Sequence, residues 1–214
     1  MDTSRPGSTR DRLLDAAERL FAEHGFAATS LRTLTEAAGA NVAAVNYHFG
    51  SKEGLLRAVA ERAMASVNAE RLRLLEDLRA SGHKPTAEEL VRAFVATGAS
   101  IVERSGERGP TIARFLGRVM FEPDPAIRRL FGTEVAPVEG QYLDALQAAL
   151  PELPPDEVAF RYRAMVGLLG LHQSGTLGDL HPWRPTETAG DTDPETERLI
   201  ALLTAGLQTP PTTG

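Results

Sequence analysis

The chain contains no cysteine, which excludes a disulfide framework, a thiolate metal site and a thiol redox switch. No run of about 18 uncharged apolar residues occurs, so no membrane partner is expected. The N-terminal stretch MDTSRPGSTRDR is polar and has no apolar segment behind its charges, which reads as an unexported, cytoplasmic protein. A basic arm is missing too. The net charge is −6, and residues 1–57 are neutral, with Arg5, Arg10, Arg12, Arg19, Arg32, Lys52 and Arg57 against Asp2, Asp11, Asp15, Glu18, Glu23, Glu36 and Glu53. Anion recognition in that first segment therefore has to come from the placement of a few groups.

Catalytic signatures are equally sparse. His48 and Glu53 lack an HExxH spacing or a further ligand cluster, so no metal is expected. The glycine-rich residues 105–110 lack the Gly-Lys-Ser/Thr ending of a phosphate loop, and no strand precedes them, so they read as a connector. No nucleophile set or cofactor motif is present, and the expected cofactor list is empty. Period-two alternation is absent, so the fold class is all-α.

What the chain does have is 214 residues, 42% of them hydrophobic, enough for a small domain joined to a larger one. Leu13, Leu14, Ala17, Leu20 and Phe21 form one helical stripe that Gly25 closes. Thr29 and Ser30 cap a short second helix through Leu31, Leu34 and Ala38, ended by Gly39. Asn41 caps a third, in which Val42, Val45 and Phe49 face inward. Ser51 caps a long fourth helix reaching about Leu78. Thr86 and Glu89 make a capping box for a helix to about Arg104. Another apolar helix runs through Phe115, Leu116, Val119, Met120 and Phe121. Asp124 and Pro125 start a helix that continues brokenly past Pro137 to Leu150. Further helices span about 155–174 and 194–207, with a mobile loop over 175–193.

Two short helices joined by a tight turn and backed by a longer first helix make the helix-turn-helix plan, in which the second of the pair enters the DNA major groove. Residues 41–48 are that second helix. Alanines at 43 and 44 permit close approach to base edges, and Tyr47 and His48 can donate to phosphate oxygens. Lys52, in the first turn of the next helix, suits a phosphate held by an ammonium and free N–H groups together.

These residues carry a resemblance. Residues 29–56 run from small polar residues through Arg32, an apolar helix and Ala38-Gly39 to Asn-Tyr-His-Phe-Gly-Ser-Lys-Glu, preceded at 13–25 by LLDAAERLFAEHG. The segment resembles the DNA-binding domain of the TetR family of bacterial transcription regulators. Asn46 stands where many members have tyrosine, and Ala43 where a glycine is usual. Glu122 to Pro125 and Leu150-Pro151 also resemble the fatty-acid-responsive branch. The resemblance implies a helix-turn-helix domain over 1–56 and a regulatory, ligand-binding and dimerisation domain over 57–214. It implies a double-stranded DNA operator as partner, with Arg32 and Thr33 contributing from the second helix and Arg32 forking onto guanine. Residues Asn41, Val42, Ala43 and Ala44 would face base edges. Tyr47, His48 and Lys52 would hold phosphates, and Ser30 and Asn46 complete the expected contacts.

One recognition helix reads too few base pairs to find a site in a genome, so a homodimer on a pseudopalindrome is expected. Phe160, Leu168, Leu199, Leu202 and Leu203 are its candidate interface. A small apolar effector, acyl or aromatic, is expected among Phe94, Ile101, Phe115, Met120, Met165, Leu169 and His172, with Gly98, Gly117, Gly167 and Gly170 leaving room. The family's usual role implies a ligand-controlled repressor and not an enzyme. The alternatives are a helical interaction module without DNA binding and a small helical enzyme using His48 or His172.

Overall fold

A computed structural model describes residues 8–101, 105–173 and 194–211. The elements are α1 (Thr9–His24), α2 (Leu31–Ala37), α3 (Val42–Phe49), α4 (Lys52–Ala80) and α5 (Ala87–Ala99). A 3₁₀ turn (Gly106–Arg108) then leads to α6 (Gly109–Met120), α7 (Pro125–Ala149), α8 (Pro155–Gln173) and α9 (Pro194–Gln208). No strand occurs among the described residues. The expected helix end near Arg104 and the loop over 175–193 lie outside them.

Local side-chain chemistry sets most helix starts. Ser8, Ser30, Asn41, Ser51, Thr86 and Asp124 each accept a hydrogen bond from a free N–H of the first turn that follows, which satisfies donors that the helix itself cannot. At α5 the box is reciprocal, with the Glu89 carboxylate accepting from Thr86 N at 2.8 Å. Those bonds hold the Glu89 carboxyl down at about 2.

Two expectations about helix extent are corrected. Residues 105–110 are not wholly a connector, because Gly109 and Pro110 already form the first turn of α6, where proline loses no hydrogen bond. Likewise Pro137 does not break α7, which runs unbroken from Pro125 to Ala149. A proline inside a helix costs about 3 kcal/mol. Burial of Val135, Val138, Tyr142 and Leu146 on either side of it supplies a compensating gain.

The apolar residues form two clusters. The first joins α1, α2 and α3 to the first half of α4, and continues through Ile101, α6 and the start of α7, with Leu13, Leu34, Val45, Leu55 and Val59 fully buried. The second gathers the far end of α4 with α5, the rest of α7, α8 and α9 around Leu75, Phe94, Tyr142 and Met165. The first cluster crosses residue 56 without interruption, so the short helices share one core with α6. α4 passes through both clusters and so connects α3 to the larger bundle.

Candidate nucleic-acid interface and effector cavity

α3 is two turns long and held at both ends. The Asn41 side chain accepts from Ala44 N at 2.9 Å. Gly39, at φ +57, makes the left-handed turn that separates α2 from α3, a conformation costly for residues with a Cβ. Val45 is completely buried, and Ala44 and Phe49 pack partly against the first cluster. The opposite side carries Asn41, Ala43, Asn46 and Tyr47 in solvent, with His48 half-buried. Tyr47 is 85% exposed and meets the His48 ring edge-on at 4.9 Å. Val42 differs from the inward orientation that periodicity predicts, being 42% exposed. It sits in the first turn, ahead of the point where the helix reaches the core.

Ser30 is the cap of α2 and accepts from Thr33 N at 3.0 Å, while Thr33 itself is exposed. Arg32 is exposed and pairs with Glu36 one turn along at 2.8 Å. Such an exposed pair is worth about 0.3–0.5 kcal/mol, so the guanidinium can leave it at little cost. Lys52 is placed differently from a free phosphate anchor. Its ammonium donates to Phe26 O at 2.6 Å and lies 4.0 Å from the centre of the Phe26 ring. Burial pulls its pKa down, against the opposing pull of Glu53 and Glu122. Lys52 thus ties the start of α4 to the turn after α1, with part of its donor capacity already used.

A shallow hollow runs along α3, lined by Thr9, Arg12, Gly39, Ala40, Asn41, Ala43, Ala44, Tyr47 and His48. Arg12 donates to Ala38 O at 3.1 Å and to Thr9 Oγ1 at 3.3 Å, which sets a cation at the C-terminal end of α2. Arg10 lies over the Phe49 ring at 5.6 Å. Sequence reasoning missed Arg10, Arg12 and Thr9, since nothing in the spacing of α1 reveals that its first turn lies beside α3.

In the larger bundle a cavity of about 210 Å³ is lined by Phe94, Ile101, Met120 and Leu169, together with Met64, Val67, Arg71, Leu116, Arg128, Phe131, Gly132, Val135, Glu139, Val166 and Gly170. Four of the expected effector residues therefore meet in it. Phe115 and Met165 are buried in the two clusters but do not line the cavity, and neither does the half-buried His172. Gly170 is a close-packing position, because a Cβ there would fall 2.6 Å from Met120 Sδ, whereas one on Gly167 would meet nothing within 4 Å.

Among the expected interface residues, Phe160 and Leu202 are 59% and 62% exposed, and Leu168 is partly buried. Leu199 and Leu203 differ. Each is only 8% exposed and belongs to the second cluster, because that side of α9 covers the chain's own bundle and leaves Leu202 on the solvent side.

Comparison with known proteins agrees with this geometry. Residues 13–59 match the bacterial regulatory proteins of the tetR family, and residues 92–206 match the tetracyclin repressor-like C-terminal domain. The repressor AcnR of Corynebacterium glutamicum is 43% identical over 56 residues, 26% of this chain and 30% of that protein. The regulatory protein RaaS of Mycobacterium tuberculosis is 32% identical over 114 residues, 52% of this chain and 51% of its own length. The chain thus spans about a third to a half of these relatives. A tetR family transcription regulator from Shewanella sp. PV-4 has the same fold, with a TM-score of 0.65 at 14% identity over 92% of this chain and 96% of that one.

Proposed function

Since the chain belongs to the TetR family of bacterial regulatory proteins, we propose that it is a DNA-binding transcription regulator, a repressor that a small apolar effector releases from a palindromic operator. The observation that carries this is α3. Its core side is locked by Val45, and its other side presents Asn41, Ala43, Asn46 and an almost fully exposed Tyr47. An exposed aromatic beside small residues, on a helix fixed by its core side, makes the kind of surface that a recognition helix presents. It suits a major groove, where small side chains admit the backbone and polar tips reach phosphates.

Two copies acting together would read a symmetric site, and the exposed Phe160 and Leu202 are the apolar positions available for pairing. The effector would occupy the cavity beside α4. A shift of α4 there changes the spacing of the two recognition helices, and a coupling of about 1–3 kcal/mol makes a useful switch. The interaction-module alternative leaves the α3 surface without a use. The enzyme alternative finds no acid beside His48 in the lining of the hollow along α3, and His172 does not line the cavity.

Selection of bound duplexes from a random pool tests this reading, with an enriched two-fold symmetric sequence as the expected result. On that sequence Arg32→Ala is expected to cost about 1–3 kcal/mol while leaving random duplex nearly unaffected. Equal loss on both duplexes removes Arg32 from base reading, and recovery of no preferred sequence removes the operator.

A further inference from the structure

The first turn of α1 lies beside the surface that α3 presents. Thr9 and Arg12 form one wall of the hollow along α3, and Ala43, Ala44, Tyr47 and His48 form the other. The lining brings together a guanidinium, an imidazole, two hydroxyls and the Asn41 amide, and among the described residues no carboxylate joins them. Arg12 is half-buried and fixed by its bonds to Ala38 O and Thr9 Oγ1, so its charge stands near the start of α3. The nearest carboxylate in sequence, Asp11, accepts from the Ser8 hydroxyl at 2.7 Å and does not line the hollow.

Arg10 stands at the other end of the same helix. The residue is exposed, and its guanidinium lies 5.6 Å from the centre of the ring of Phe49, the last residue of α3. Contact with a ring face positions a cation without using its N–H groups. The Arg10 side chain makes no hydrogen bond or ion pair among the described residues. Lys52, by contrast, has its ammonium on Phe26 O. A duplex seated on α3 would run one strand of its backbone past α1 through the hollow. A phosphodiester is anionic and offers acceptors only, which matches a lining of donors, and its paired oxygens suit a guanidinium fork.

We infer that the first turn of α1 is a second phosphate anchor. Arg12, with the Thr9 and Tyr47 hydroxyls, holds one backbone phosphate in the hollow, and Arg10 holds another beyond the end of α3. The helix end itself is not the anchor, because Ser8 already caps it. These contacts position the duplex and read no base. The inference rests on the reading of the chain as a DNA-binding regulator.

The salt dependence of affinity tests it. Fluorescence anisotropy of the selected duplex and of a random duplex, each titrated with the full chain between about 50 and 200 mM potassium chloride, gives the slope of log Kd against log salt. Arg10→Gln and Arg12→Gln each remove one cation and keep an amide donor, in the second case for Ala38 O. Each is expected to lower the slope by about one unit per bound copy and to weaken both duplexes alike, by up to about tenfold at the low-salt end. Arg19→Gln makes the same change of charge about two turns farther along α1, where Arg19 pairs with Glu23 at 3.7 Å, and is expected to leave the slope as it is. Arg10→Gln loses no hydrogen bond, so it decides the matter even if Arg12→Gln unfolds more readily.

A slope that Arg10→Gln leaves unchanged, or that Arg19→Gln lowers as much, overturns the anchor. A loss confined to the selected duplex does so too, since it makes these arginines base readers. Salt-dependent binding by the parent that neither Arg10→Gln nor Arg12→Gln alters overturns the anchor and keeps the DNA-binding reading, whereas a parent that binds neither duplex overturns both.

Discussion

Glu18→Ala is expected to lower the folding free energy by about 3 kcal/mol, among the largest effects of any single polar substitution here. The carboxylate is buried, with a side chain only 3% exposed, and accepts from two arginines. Arg62 on α4 reaches it at 3.0 Å, and Arg108 in the 3₁₀ turn ahead of α6 at 2.6 and 3.1 Å. Arg62 also bonds Asp15 at 2.7 Å. Removing the shared acceptor leaves Arg62 with Asp15 alone and takes from Arg108 the carboxylate it is bonded to. Both keep some access to water, which holds the cost near the lower end of the 3–5 kcal/mol range for breaking a buried pair. Arg108→Ala should cost about half as much, because Arg62 still neutralises the carboxylate. Urea unfolding of the three proteins measures this, and a loss below about 1 kcal/mol for Glu18→Ala would show that the buried carboxylate is not what ties α1 to α4 and α6.

The second large effect is expected at Gly54. A Cβ added there would lie 1.9 Å from the Phe49 carbonyl oxygen and 3.1 Å from its carbon. Both atoms belong to backbone at the end of α3, so no rotamer change relieves the clash. Gly54→Ala must push α3 away from the first turn of α4, or unwind that turn and lose the Ser51 cap on Gly54 N. We expect a loss of about 3 kcal/mol, the upper end for overpacking, in place of the usual gain from replacing a helical glycine with alanine. DNA affinity should fall further than stability, because the displaced element is the one proposed to read bases. A stable variant with parental DNA affinity would show that the α3–α4 junction tolerates the shift.

Gly54 also shows where the sequence stops being legible. Capping is local chemistry, so Ser30, Asn41, Ser51, Thr86 and Asp124 mark their helices within a residue or two and each forms the bond its position suggests. Apolar periodicity identifies Leu13, Leu34, Val45 and Leu55 as core for the same reason. The errors come where a distant element decides. A glycine in a first turn looks incidental until the end of α3 lies against it. Lys52 looks free until Phe26 O is found 2.6 Å away. Pro137 looks like a break until burial on both sides outweighs its lost bond. Leu199 and Leu202 look equivalent on one stripe, yet one faces the bundle and the other solvent. The cavity is half legible: Phe94, Ile101, Met120 and Leu169 line it, whereas Arg71 and Glu139, which also line it, carry no signal until the helices converge.

If the exposed side of α3 reads DNA, a carboxylate placed in that surface repels the duplex. Ala43 is exposed and small, so Ala43→Glu should leave unfolding by urea unchanged within about 0.5 kcal/mol. Against the phosphates and base edges of a duplex, the same charge should weaken binding by about a hundredfold, as like-charge juxtaposition costs several kcal/mol. Fluorescence anisotropy of the selected duplex titrated with the parent and with Ala43→Glu measures both affinities. About a hundredfold weaker binding by an equally stable variant is expected, and equal affinity of the two proteins would show that the exposed side of α3 does not read DNA.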